Sequence, residues 1–108
     1  MTSTSPHAPG AGKHIYQPGE LASPGCSHLD QIQPVAPSAQ GCEDCLKIGG
    51  FWVRLRICLT CGHVGCCDLS INRHATRHYH DTGHPLVQSL ETNEDWVWGY
   101  VDDRLVVE

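Results

Sequence analysis

Cysteine and histidine side chains dominate the chemistry available to this sequence, with seven Cys and eight His among 108 residues. Two Cys-x2-Cys pairs are followed by a further cysteine and by three spaced histidines. A Cys-x2-Cys pair allows two thiolates from one tight turn to bind the same zinc ion at about 2.3 Å. Eight ligands complete two tetrahedral sites, and a site without an open coordination position is structural rather than catalytic. The predicted ligands are Cys42, Cys45, Cys58, Cys61, Cys66, His74, His78 and His84.

The spacing alone leaves open which ligands share an ion. One alternative is local, because Cys58 and Cys61 precede His74 and His78 with the spacing of a nucleic-acid-binding C2H2 finger. The two histidines would then lie on one face of a helix. This grouping leaves half of the predicted ligands unused and places two further cysteines inside the finger loop. The other alternative interleaves the two sites along the chain.

Composition limits the classes of function. The net charge is −5, and phosphate contacts dominate nucleic-acid affinity, so nucleic acid is not an expected partner. Residues 46–80 nevertheless contain five basic side chains and one acidic, whereas residues 81–108 contain seven acidic and one basic. No apolar run reaches the ~18 residues of a membrane helix, and the N-terminus lacks a secretory pattern. The odd number of cysteines argues against a complete set of disulfides. Together these features predict a cytoplasmic protein that binds metal and has no membrane partner.

The elements that must position the ligands are short. Residues 1–25 are rich in Pro and Gly and are predicted to form a disordered or loosely packed arm, which leaves residues 26–108 as the domain. Strands are predicted at 51–57, 85–90, 95–101 and 104–108. The clearest helix runs from Asn72 to Asp81, with Ser70 or Asn72 as N-cap and Gly83 as its stop. A core this small is commonly stabilised by bound metal.

Several motifs resemble one known family. The segments GCEDC, CLTCGHVGC, RHATRH, TGHPL and DWVWGYVDD are similar to those of the UBP-type zinc finger, which binds the C-terminus of ubiquitin, and are most similar to small single-domain bacterial members. The resemblance implies an α+β fold, in which zinc holds together a small twisted antiparallel sheet with one or two helices. It also implies two zinc ions and an interleaved ligand set: Cys42, Cys45, Cys66 and His74 for one ion, and Cys58, Cys61, His78 and His84 for the other.

Some family members bind a further zinc ion, and the resemblance places Cys26 and His28 at positions that contribute to it. Their partners in those members are two cysteines of a WCYxC motif. The corresponding residues here are WGYVD, in which Gly99 cannot bind metal and Asp102 could replace one thiolate. Two zinc ions are therefore expected, and Cys26 and His28 are the doubtful ligands of a third.

The residues that hold the ubiquitin terminus in the family are only partly kept. Arg56 stands where those members have a tryptophan, and Asp68 stands where they have the arginine that pairs with the terminal carboxylate. Asp68 would repel that carboxylate. The alternation of residues around two strands suggests another binding surface, formed by Trp52, Arg54, Arg56, Trp98 and Tyr100.

The function predicted from these features is a structural zinc-binding domain that binds a protein or peptide, including a flexible C-terminal tail, through a divergent pocket. Ubiquitin itself is a doubtful partner. The alternatives are a nucleic-acid-binding finger and a metal or redox sensor that uses Cys67. No HExxH motif and no zinc-deaminase signature is present, so no enzymatic activity is expected.

Overall fold

The computed structural model describes residues 13–21, 28–92 and 94–107, which form a five-stranded antiparallel sheet with two helices. The sheet order is β2-β1-β3-β4-β5. The strands are β1 (Leu55–Cys58), β2 (Val64–Cys66), β3 (Leu86–Ser89), β4 (Val97–Gly99) and β5 (Arg104–Val107). The helices are α1 (Glu43–Ile48) and α2 (His74–Thr82), and a 3-10 turn spans Leu29–Gln31. The predicted α+β class is therefore confirmed. No helix among these described residues is long and apolar enough to cross a membrane.

The core lies on one face of the sheet. Leu55 and Ile57 of β1 are fully buried there, as are Leu86 of β3 and Val97 of β4. Side chains of a strand alternate between the two faces, so Arg56 of β1 faces the opposite side, which α2 partly covers. One face thus supplies the apolar core, and the other supplies the surface on which the functional side chains stand.

A segment near the N-terminus completes the core face. The side chain of Gln88, which is 1% exposed, accepts a hydrogen bond from Tyr16 N at 2.9 Å and donates one to His14 O at 2.7 Å. The Lys13 ammonium donates to Glu91 O at 2.9 Å and to the carbonyl of Glu94. Of the arm predicted for residues 1–25, residues 13–21 thus lie against the sheet, and the remainder is outside the described residues.

Helix α2 begins without the predicted cap. Its N-cap is Arg73, in the left-handed conformation with φ 47°, and no side chain caps the helix, so the prediction of Ser70 or Asn72 is wrong. Both side chains are used elsewhere: Ser70 Oγ accepts from Val53 N at 2.8 Å, and Asn72 Nδ2 lies 3.6 Å from Cys45 Sγ. Gly83 ends the helix as predicted, with φ 77°.

The strand predictions differ from the structure at three points. The predicted strands do not include β2, and the predicted helix does not include α1. The first strand begins at Leu55 rather than at residue 51. Phe51 is 83% exposed, because the chain before β1 bends past α1, where Phe51 O lies 3.6 Å from Cys45 Sγ. β3 also separates β1 from β4, so the two strands expected to carry the binding face are not neighbours.

Candidate metal centres and an adjoining cavity

The first candidate metal centre joins α1, β2 and the start of α2. His74 Nδ1 lies 3.3 Å from the sulfurs of both Cys42 and Cys45 and 3.6 Å from Cys66 Sγ. The Cys45 and Cys66 sulfurs are 3.9 Å apart. A tetrahedral zinc ion with normal bond lengths needs sulfur–nitrogen separations of about 3.6 Å and sulfur–sulfur separations of about 3.8 Å. The four side chains therefore have the donor types and the spacing of a closed zinc site.

The second centre joins the β1–β2 turn to α2 and the loop that follows it. Cys58 Sγ lies 3.5 Å from His84 Nδ1, and Cys61 Sγ lies 3.3 Å from His78 Nε2. The ligand atoms of these four residues all lie within 4.8 Å of one another. His74 and His78 are one helical turn apart and belong to different clusters, so the structure brings the ligands together in the interleaved arrangement and not in the local one.

The protonation states of the ligands depend on metal binding at both centres. Burial raises the pKa of the Cys42 thiol well above its usual range and raises that of Cys58 to about 11. Without a metal these thiols would stay protonated, and a zinc ion supplies the charge that keeps them as thiolates. Burial, with His63 and His84 nearby, lowers the pKa of His78 to about 4, so its imidazole is neutral and able to bind metal at pH 7. Two Zn²⁺ ions are thus the cofactors of this fold, as expected.

Backbone and side-chain groups around the ligands orient them. His74 N donates to Cys66 Sγ at 3.2 Å, and Cys45 N donates to Cys42 Sγ at 3.4 Å. His63 stacks on the ring of His78 at 4.2 Å between centroids, while its Nε2 lies 2.8 Å from Asp44 Oδ2. Asp44 stands between the ligands Cys42 and Cys45 in the sequence. His63 therefore contacts the α1 segment of the first centre through Asp44 and the second centre through the ring of His78.

The doubtful third site has a different arrangement in the described residues. His28 Nδ1 lies 3.1 Å from Asp102 Oδ2, and both side chains are partly buried. Cys26 lies outside the described residues. Within the part of the chain that the structure describes, His28 belongs to no group of three potential metal ligands. The two side chains connect the segment before the 3-10 turn to the β4–β5 turn at hydrogen-bond distance.

A cavity of about 340 Å³ lies beside the metal centres, between α2 and the face of the sheet opposite the core. Its walls come from four of the strands, from the loop after β2 and from the first turn of α2. Most of the wall is aromatic or aliphatic, and the charged groups that face it are one arginine and one aspartate. The lining residues are Arg56, Cys67, Asp68, Leu69, Ala75, Thr76, Val87, Trp96, Trp98, Tyr100 and Leu105.

The arginine of this cavity is held by the protein itself. Its Nη1 donates to Leu55 O at 3.0 Å and lies 3.7 Å from Glu94 Oε1. The guanidinium carbon of Arg56 lies 4.3 Å from the ring centroid of Trp96. Arg54 shares the same glutamate at 3.6 Å. The Arg56 guanidinium is thus stacked on an aromatic ring and lies near Glu94, whose single negative charge it shares with Arg54.

The side chains predicted to form a binding surface are only partly brought together. Arg56, Trp98 and Tyr100 line the cavity. Arg54 stands at its edge with Glu94, and the Trp52 indole lies against Gly41, away from the cavity. Sequence reasoning missed the contribution of Val87 and Leu105 and of α2, because these side chains meet only when β3 and β5 take their places in the sheet.

Several known proteins are similar to this chain in sequence or in fold. The family described as "Zn-finger in ubiquitin-hydrolases and other protein" matches residues 42–108. Ubiquitin carboxyl-terminal hydrolase 44 of Xenopus tropicalis is 39% identical over 88 residues, which are 76% of this chain and 12% of that protein. BRCA1-associated protein of Homo sapiens is 34% identical over 87 residues, or 81% of this chain and 13% of that protein. The chain thus matches only a small part of the length of each of these relatives.

A solved structure shows that the similarity includes the three-dimensional fold. The solution NMR structure of protein RPA1320 from Rhodopseudomonas palustris superimposes with a TM-score of 0.70 at 57% identity, covering 76% of this chain and 80% of that one. The family match, the two interleaved Cys/His tetrads and this structural neighbour agree with one another. On these grounds the chain belongs to the UBP-type zinc-finger family.

Proposed function

We propose that this chain is a protein-binding module whose cavity receives an extended segment of a partner protein. The cavity is the observation that carries the proposal: it is about 340 Å³ in volume, and most of its lining residues are aliphatic or aromatic. Pockets of this size with a few placed polar groups are typical binding sites. Strands of the sheet form one wall of the cavity, and the two zinc centres lie in the loops and helices next to these strands.

A binding role agrees better with the metal centres than a catalytic role does. Each cluster already contains four protein ligands, so neither zinc ion has a free position for water or substrate. The hydrolase relative aligns over only 12% of its length, and we take no activity from it. The proposal is therefore a non-enzymatic module that acts by recognition.

The charge of the cavity argues against the free C-terminus of ubiquitin as the ligand. Asp68 lines the cavity at the position where ubiquitin-binding members of the family have an arginine. Loss of a charge-assisted hydrogen bond costs about 1.5–3 kcal/mol, and each 1.4 kcal/mol is a tenfold change in affinity. We expect no saturable shifts when ¹⁵N-labelled protein is titrated with ubiquitin at micromolar concentration. Saturable shifts around Asp68 and Tyr100 would show that the tail-binding function is retained.

Affinity capture with matched variants tests the proposed module. Leu69 lines the cavity mouth and is 75% exposed, whereas Leu46 is 55% exposed on α1 and lies outside the cavity lining. A Leu69→Glu variant should lose the partner captured from an extract of the organism's own cells, and Leu46→Glu should keep it. A peptide from the captured protein should then compete for binding. Equal capture by both variants would contradict the use of this cavity.

A further inference from the structure

Asp68 is the acidic side chain of the cavity lining. Asp68 is exposed, and its Oδ1 accepts a hydrogen bond from Thr76 Oγ1 at 2.6 Å. Among the residues that the structure describes, no basic side chain forms an ion pair with Asp68. Arg56 differs, because Glu94 and Leu55 O already hold its guanidinium. A ligand entering the cavity therefore meets one carboxylate whose charge is not yet balanced.

Two aromatic side chains stand in the same cavity as this carboxylate. Trp98 and Tyr100 both line it, and Tyr79 stacks on Tyr100 with 4.6 Å between the ring centroids. The stacking fixes the orientation of the Tyr100 ring. Aromatic faces attract cations, most strongly where water is excluded. A third aromatic ring of the cavity, that of Trp96, already makes such a contact with the Arg56 guanidinium.

We propose that the cavity accepts a lysine side chain from the partner segment, with its ammonium group between the Asp68 carboxylate and the rings of Trp98 and Tyr100. This inference rests on the proposed binding function and specifies its ligand chemistry. The aliphatic part of lysine suits the apolar wall formed by Leu69, while the ammonium group balances Asp68. A terminal carboxylate would instead face Asp68 and compete with Glu94 for Arg56.

Three short peptides distinguish the ligand chemistries. The first is acetylated and amidated Gly-Gly-Lys-Gly-Gly, the second replaces its lysine with neutral norleucine, and the third is acetylated pentaglycine with a free carboxylate. Each is titrated into ¹⁵N-labelled full-length protein loaded with zinc, and the indole signal of Trp98 and the amide signal of Tyr100 are followed. We expect the lysine peptide to bind at least tenfold more tightly than the norleucine peptide, which corresponds to about 1.4 kcal/mol.

Two matched variants assign the effect to one carboxylate. Asp68→Asn keeps an oxygen that can accept from Thr76, and it should abolish the preference for lysine over norleucine. Asp81→Asn, at an exposed residue of α2 outside this cavity, should leave the preference unchanged. Dispersed amide spectra and two bound zinc ions by native mass spectrometry establish that each variant is folded.

The possible results separate this inference from the function on which it rests. Tighter binding of the carboxylate peptide than of the lysine peptide would overturn the lysine assignment while supporting a peptide-binding cavity. A lysine preference that survives in Asp68→Asn would overturn the role of that carboxylate. No binding of any peptide at millimolar concentration would overturn both proposals.

Discussion

Replacing Gly65 of β2 with alanine should destabilise the protein through backbone contact. A Cβ atom at this position would lie 2.7 Å from Ala75 N, 2.8 Å from Ala75 Cα and 3.0 Å from the carbonyl carbon of His74. Non-bonded carbon atoms pack at about 3.5–4.0 Å, so α2 would have to move away from the sheet by close to 1 Å. Because these are backbone atoms, no change of side-chain rotamer can relieve the contact.

The movement would reach the metal centres as well. His74 is a ligand of one cluster and His78 of the other, so a displaced α2 strains both. Overpacking of this kind costs about 1–3 kcal/mol. Each kcal/mol lowers Tm by roughly 4–8 °C in a domain of this size. We therefore expect a decrease in Tm of several degrees or more, together with weaker retention of zinc.

Gly99 of β4 provides the matched control, since its closest contacts to an added Cβ are Leu86 Cδ2 at 3.5 Å and Arg104 O at 3.7 Å. Gly99→Ala should leave Tm unchanged or raise it slightly, because alanine lowers the conformational entropy of the unfolded chain. Both variants are melted by circular dichroism at a fixed free zinc concentration, and zinc release is followed with a chromogenic chelator. Equal Tm values for Gly65→Ala and Gly99→Ala would refute the packing argument.

Three further predictions concern metal, pH and the N-terminal segment. Cys45→Ala should lose one zinc ion by native mass spectrometry and most amide dispersion, whereas Cys67→Ala should keep both ions, because only Cys45 belongs to a metal cluster. Burial lowers the pKa of His78 below its usual 6.5, and zinc binding to the same ring also favours the neutral imidazole, so the unfolded chain binds the extra proton, and acid titration of the zinc-loaded protein should show stability falling from pH 6.5 towards 4. Stability that stays constant across this range would contradict the shift. Gln88→Leu removes both hydrogen bonds to the segment at residues 13–21, and it should cost about 1–3 kcal/mol in urea unfolding and speed amide exchange at Tyr16. Unchanged exchange would mean that the segment is held in another way.

The ligand types and the count of zinc ions could be predicted from the sequence because thiolate and imidazole donors are scarce outside such sites. The assignment of His74 and His78 to separate ions could not be obtained from spacing alone. Residues one turn apart lie on one helix face, and that face can serve one ion or two. The family resemblance supplied the pairing, and the structure shows why it is possible: His74 uses Nδ1 towards β2, whereas His78 uses Nε2 towards the β1–β2 turn.

The start of α2 and the beginning of β1 were mispredicted for a related reason. Ser70 and Asn72 have the side chains of N-cap residues, but Ser70 accepts a hydrogen bond from Val53 N and Asn72 contacts the metal ligand Cys45, so neither caps the helix. Phe51 and Val53 continue an alternating apolar pattern, yet the backbone of Phe51 contacts Cys45 and that of Val53 contacts Ser70 instead of a neighbouring strand. Local propensity and periodicity predict secondary structure from the burial of apolar side chains. In this part of the chain, contacts next to the metal ligands also determine the backbone conformation.

The charge arrangement of the cavity connects the fold to its proposed ligand. Two positions that differ from the ubiquitin-binding pattern, Arg56 and Asp68, both line the cavity and carry opposite charges, but only Asp68 keeps its charge available to a ligand. Arg56 is stacked on Trp96 and lies 3.7 Å from Glu94, which it shares with Arg54, whereas no basic side chain among the described residues forms an ion pair with Asp68. If the cavity binds lysine as proposed, the fold keeps its zinc-held sheet and its aromatic wall while it takes a cationic group instead of an anionic one. The loop that carries Glu94 is in turn held by Lys13, so a segment outside the family match contributes to the electrostatics of the binding surface.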